Sequence, residues 1–450
     1  MAGEGEVSIP DGWPGYVWIE GKTVIHLRND QPRPSHMPRG PAKKTGAGFL
    51  NPAMAPARTR SVLLLSDALE HEWLVKTNKS IRVLDALCST GVRIRRWRNE
   101  VPADSQHRIR ITANDLDDFA LNWARMSHAT NPPSTVIEHD IEGDRYGKIP
   151  TGEFENGLFF QTLDARVALS EASYQWIDLD PFGSPVSFLD AAIQSLSRTG
   201  VLEVTATDTA ALTGSSLSSQ QRRYGAKGIV DVYAHDDAVR TLMGYVATTA
   251  ARHDKAISPI LALFDGHHVR ISIKLSTSKE KASEVHSNIG WRVREKDIPY
   301  RFSKHPNKDE LERASGPMWI GPLWNREITE RITEEKVLEL CQLDTEEFSQ
   351  MKINGLDWDD SDFDYATREL CRSVRYISQA SDLMSREHLL LNLDSMPKWA
   401  GTTGAPKIEK LIQKLIDNGN CAARVPDSEP VFITDAPFEK VLLILKELNK

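Results

Sequence analysis

The chain has 450 residues, 40% hydrophobic and 26% charged, a composition that suits two or three globular domains and excludes a collagen-like, disordered or disulfide-built protein. Its formal net charge is −8, from 55 Lys+Arg against 63 Asp+Glu, which also excludes a uniformly basic nucleic-acid binder. Four scattered cysteines form no C-x-x-C pair, no run of 18 apolar residues occurs, and the start MAGEGEVSIP lacks a basic-then-apolar leader; a cytoplasmic protein with no membrane segment is expected.

Residues 15–27 read as a hairpin around Glu20-Gly21. Residues 31–57 hold six prolines, and Gln31 to Arg60 carries six Lys/Arg with no acid, so a long basic loop is expected. A helix follows from about Ala57, with Val62, Leu63, Leu65, Leu69 and Trp73 on its apolar face. Strands are then expected at 81–85, 109–113, 135–138, 176–179 and 200–206, with helices at 92–97, 117–127, 187–196 and 236–252. Two β runs flank Asp265-Gly266, a hairpin signal. Strand–helix alternation closed by a hairpin predicts an α/β fold: the Rossmann-like parallel sheet of class I S-adenosylmethionine-dependent methyltransferases, ending in an antiparallel pair. From about residue 277 the alternation stops. Helices at 327–340, 366–380, 408–418 and 436–448 with a β run at 430–434 predict a smaller α+β C-terminal domain. The expected domains are therefore 1–277 and 278–450.

Three segments carry chemistry. Leu84-Asp85-Ala86-Leu87-Cys88-Ser89-Thr90-Gly91-Val92-Arg93 joins a strand to a helix whose N-terminus offers free N–H groups, although any tight turn between strand and helix reads similarly. Asp115 ends the next strand, where an acid accepts bonds from ribose hydroxyls or caps a helix. The sharpest segment is Trp176-Ile177-Asp178-Leu179-Asp180-Pro181-Phe182-Gly183-Ser184-Pro185. The lone pair of an exocyclic amine is delocalised into its ring. A carboxylate (Asp180) and a carbonyl (Pro181) can accept its two N–H bonds and raise its nucleophilicity, while Phe182 stacks on the base. Thr207-Asp208-Thr209 follows the next strand as a further small, polar wall.

These residues resemble the Trm1 family, the tRNA (guanine(26)-N2)-dimethyltransferases. The resemblance rests on Phe49-Leu50-Asn51-Pro52-Ala53-Met54 with Arg58, on Asp85 to Arg93, on Asp164-Ala165, on Asp178 to Pro185, on Thr207-Asp208-Thr209 with Leu212 and Gly214, on Arg223-Tyr224-Gly225, and on Gly316-Pro317-Met318-Trp319 and Thr434-Asp435-Ala436-Pro437. It implies S-adenosylmethionine contacts from Arg58, Arg93, Asp115, Asp164 and Ala165, beside Asp85 at the head of the loop. It also implies that Asp180 orients and deprotonates the guanine amine, with Pro181 and Phe182 completing the catalytic set. The substrate implied is tRNA, bound by the basic stretches 33–60 and 93–110 and part of the tail, with no obligate protein partner. Thr59 stands where the family has Asp. No cysteine lies in 300–315, so no zinc or other metal is expected there.

Overall fold

The computed structural model describes residues 15–28, 33–36, 50–77, 79–130, 157–353, 355–386 and 389–449. Two strands, β1 (Gly15–Glu20) and β2 (Thr23–Arg28), form the expected hairpin. Helix Ala55–Glu70 follows, with every residue from Pro56 to Leu69 buried. The main sheet uses β3 (Ile81–Asp85), β4 (Ile109–Asp115), β5 (Leu158–Thr162), β6 (Tyr174–Leu179), β7 (Leu196–Ala206), β8 (Lys255–Asp265) and β9 (His268–Thr277). Its order is β5-β4-β3-β6-β7-β9-β8. Strand β3 runs parallel to β4 and β6, and β4 to β5. Strands β8 and β9 pair antiparallel across a two-residue turn at Gly266-His267, with Asp265 opposite His268. This is the class I methyltransferase arrangement that the alternation predicted. Strand β3 is buried throughout, Arg82 and Asp85 included, as a central parallel strand between β4 and β6 is. The strand expected at 135–138 lies outside the described residues, and β5 is a strand that the sequence reading did not place.

The described residues fall into two compact units. One gathers the chain up to Asp180 with Gln194–Leu202 and Ile332–Arg375. Its hairpin packs Trp18, Ile25 and Leu27 with Phe348 and Trp358, and the Trp18 and Trp358 rings lie 4.4 Å apart. The other gathers Pro181–Ile193, Glu203–Arg331 and Tyr376–Lys450. It contains a three-stranded sheet of β10 (Ile289–Arg294), β11 (Tyr300–Ser303) and β12 (Ala314–Trp319), ordered β11-β10-β12. A second sheet has β13 (Leu390–Asn392), β14 (Ala422–Arg424) and β15 (Val431–Thr434), ordered β13-β15-β14. Helices Ile408–Asp417 and Phe438–Leu448 bury Leu411, Leu415, Val441 and Leu445 with Phe432 of β15. Two of the expected tail helices are each broken in two. Arg326–Thr329 and Glu334–Cys341 replace the first, and Asp360–Val374 and Ile377–Met384 replace the second. The second break falls at Tyr376, whose φ of +69° takes the chain out of the helical region.

Candidate active site

The acidic site residues of the first unit stand at or just beyond the carboxyl ends of β3, β4, β5 and β6. The pairing places Asp85 directly opposite Asp178. After Asp85 the chain turns sharply. Ser89 has φ +47° and Gly91 φ +70°, and a Cβ on Gly91 would stand 2.8 Å from the Ala124 Cβ. Glycine is required there both for the left-handed backbone and for the close approach. The turn is held from β4: the Cys88 N–H donates to the Asn114 carbonyl at 2.8 Å, and the Ser89 N–H donates to Asp115 Oδ2 at 2.8 Å. Asn114, fully buried, donates from Nδ2 to the carbonyls of Ala86 and Leu163, both at 3.0 Å, which ties the turn to the segment after β5.

Three carboxylates share one guanidinium. Arg93, from the first turn of helix Val92–Glu100, is 4% exposed. Its Nη1 lies 2.9 Å from Asp178 Oδ2, its Nη2 donates to Asp180 Oδ2 at 2.5 Å, and its Nε is 3.9 Å from Asp85 Oδ2. Among the described residues no hydrogen bond reaches Asp180 Oδ1. Burial, followed by the charge of Asp178, pushes the Asp85 carboxyl up to about 8 against the opposing pull of Arg93. Asp164 caps helix Ala165–Glu171, accepting from the Arg166 N–H at 2.8 Å and pairing with its guanidinium at 2.6 Å. The hydrogen bonds from Arg166 hold Asp164 down at about 2. Ala165 is buried directly after it.

In the second unit, Pro181 is buried and Phe182 is 67% exposed. The Gly183 N–H donates to Thr207 Oγ1 at 2.7 Å, and the Thr207 N–H donates back to the Gly183 carbonyl at 2.9 Å. Tyr224 Oη donates to Asp208 Oδ1 at 2.8 Å and bonds Ser184 Oγ at 2.9 Å, while Arg223 pairs with Asp208 at 2.8 Å. The turn carrying Phe182 is thus clamped to the segments after β7.

A family model described as N2,N2-dimethylguanosine tRNA methyltransferase matches residues 41–391. The chain belongs to this family. A tRNA (guanine(26)-N(2))-dimethyltransferase of Thermococcus kodakarensis is 31% identical over 416 residues, covering 89% of this chain and 93% of that one. One from Thermoplasma volcanium is 39% identical over 292 residues, covering 65% and 70%. The solved structure titled as Trm1 from Pyrococcus horikoshii with S-adenosyl-L-methionine matches with a TM-score of 0.67 at 25% identity, covering 95% of this chain and 99% of that one.

Within this dimethyltransferase family member, Asp85, Arg93, Asp178 and Asp180 converge, and Asp115 holds the adjoining turn. Arg58 does not join them. It forms a bidentate pair with Glu20, at 2.6 and 2.5 Å, in a buried network with Arg96 and Glu100. Thr59, at the position where the family has Asp, accepts from Arg96 Nη1 at 2.8 Å. One expectation is corrected. Arg93, Arg95, Arg96, Arg98 and Arg108 are each 5% exposed or less, so these five arginines of the 93–110 stretch do not form an RNA-facing surface; Arg110 is half-buried. Phe49 and most of the basic loop lie outside the described residues. The sequence reading missed Asn114 and the links of Tyr224 to Asp208 and Ser184. A buried Asn beside an acid at a strand end, and the repeated polar pairs after β7, were the available signals.

Proposed function

We propose that this chain methylates the exocyclic N2 amine of guanine 26 in tRNA, giving N2-methylguanosine and then N2,N2-dimethylguanosine, with S-adenosylmethionine as donor. The observation that carries this reading is the Asp180 carboxylate at the end of β6, fixed by Arg93 through one oxygen, in a chain of the dimethyltransferase family.

The donor set fits the cofactor's chemistry. Asp85 is raised first by burial and second by the charge of Asp178, and a sulfonium cation bound beside it would offset the second. Strand-end carboxylates suit its hydroxyl and ammonium groups. We assign these contacts to Asp85, Asp115, Asp164 and Ala165. Arg93 and Arg58 are engaged by Asp178, Asp180 and Glu20, and reach a ligand only together with those partners. When bound, the cofactor supplies the methyl group as an electrophile.

The remaining chemistry belongs to the chain. A stacked, paired guanine does not expose N2, so the base must leave the RNA stack, and the exposed Phe182 ring offers it a stacking face. Asp180 Oδ1 accepts one N2–H and the Pro181 carbonyl the other, concentrating the lone pair on nitrogen. Asp180 takes the proton as the ammonium forms. The same grip serves a second transfer with one N–H remaining. Residues 278–450, which contribute to both compact units, are assigned to RNA binding. The cytoplasmic assignment is supported by four free cysteines.

Asp180→Ala tests the assignment. Turnover with tRNA should fall by about 10²–10⁴-fold, while cofactor affinity measured by calorimetry stays near wild type. Near-normal methylation by this variant would sink it.

A further inference from the structure

Residues 209–230 contain no Asp or Glu in a chain where 63 of 450 residues are acidic. The same stretch holds six Ser/Thr and the cations Arg222, Arg223 and Lys227. Hydroxyls with Arg and Lys, free of acids, are the groups that contact nucleic-acid phosphates. The structure puts these groups at the surface. Ser215, Ser218, Gln221, Arg222, Arg223 and Lys227 are exposed, while Gln220 and Tyr224 anchor helix Leu217–Tyr224 from its buried side.

Most arginines elsewhere in this unit are already neutralised. Arg292 and Arg294 pair with Asp231, Arg301 with Glu295, Arg326 with Glu330 and Asp382, and Arg424 with Glu409. By contrast, Arg222 and Lys227 have no ion pair among the described residues; Arg222 makes only a long bond to Ser219 Oγ at 3.5 Å. Arg223 neutralises Asp208, so no acid opposes the patch from that side. The patch is also attached to the turn that presents Phe182. Tyr224, next to Arg223, bonds Ser184, two residues beyond Phe182, at 2.9 Å.

We propose that the surface of residues 215–227 seats the phosphate backbone of the RNA substrate next to the turn carrying Phe182. The inference rests on the reading of the chain as an RNA methyltransferase. It replaces the buried 93–110 arginines as a source of phosphate contacts. Arginines at the end of a helix also complement its dipole, but that role is local to helix stability and independent of RNA.

The test uses the full chain and an unmodified tRNA transcript. Binding is measured by fluorescence anisotropy across a salt series for wild type, Arg222→Ala, Lys227→Ala and the double variant, with cofactor affinity as the folding control. Each substitution should weaken RNA binding about tenfold and lower the slope of log K against log salt by about one. Unchanged affinity and slope in the double variant, alongside wild-type methylation, overturns the surface and leaves the enzyme reading standing. RNA binding whose salt dependence follows these two residues, in a wild-type protein that yields no methylguanosine, supports the surface and overturns the enzyme reading.

Discussion

Arg93 donates from Nη2 to Asp180 Oδ2 at 2.5 Å, and this bond fixes the carboxylate on which the proposed chemistry depends. The same guanidinium faces Asp178 at 2.9 Å and is the cation at the centre of a buried acidic cluster with Asp85. Arg93→Ala leaves these carboxylates buried without it. Loss of about 3–5 kcal/mol of folding stability is expected, read from urea melts. Arg93→Lys keeps the charge but loses the planar fork, so it should recover much of the stability and little of the turnover. Equal turnover in Arg93→Lys and wild type would show that the fork is dispensable.

The raised Asp85 makes stability depend on pH in a definite direction. Its carboxyl loses its proton near the ordinary 3.8 when unfolded, but only at about 8 when folded. Between these values the folded chain holds the extra proton, so stability falls as pH rises. The contribution is complete below the unfolded value and is lost as pH passes the folded one. Denaturation midpoints at pH 5 and pH 8.5 should therefore differ more in wild type than in Asp85→Asn. Identical pH profiles for the two proteins would remove Asp85 as the source.

Gly91 is a position that no side chain can occupy without strain. Its φ of +70° disfavours an L side chain, and the added Cβ would meet Ala124 at 2.8 Å. Gly91→Ala should cost about 2–4 kcal/mol, seen as a lower melting temperature, with cofactor affinity reduced alongside because the turn from Asp85 moves. Gly225→Ala is the comparison. It shares a positive φ but has nothing within 4 Å of its added Cβ, so its loss should be smaller.

Tyr224→Phe removes the donor to Asp208 and the partner of Ser184 while keeping the buried ring. About 1–3 kcal/mol of stability should be lost, since buried polar groups are left with fewer partners. Because the ring stays in place, the larger kinetic effect should fall on kcat, through looser positioning of Phe182. A normal kcat would confine Tyr224 to a structural role.

Much of the fold was legible because its signals are local. Short, mostly apolar strands such as Ile81–Asp85, and the hairpin signal at Asp265-Gly266 whose turn falls one residue on, state their structure within a few residues. The run from Asp178 to Pro185 stood out as a candidate site for a similar reason, since its acid, proline and aromatic stand consecutively at a strand end. The arginines from Arg93 to Arg108 were misread as surface because the packing that buries them is partly distant in sequence: Arg96 meets Glu20, 76 residues away, as well as Glu100 one turn on, and Arg93 meets Asp180, 87 residues away. The break at Tyr376 was hidden by apolar periodicity that continues on both sides of it. Compact units built from separate stretches leave no local mark either, as with Ile332–Arg375 beside the hairpin of β1 and β2.

The most direct test of the central claim is mass spectrometry of nucleosides from an unmodified tRNA transcript incubated with the protein and S-adenosylmethionine. The account predicts N2,N2-dimethylguanosine from a transcript with G at position 26, and none from the same transcript with A there. Absence of methylated guanosine across several tRNAs by a protein that binds the cofactor, or dimethylguanosine that persists in the A26 transcript, would contradict it.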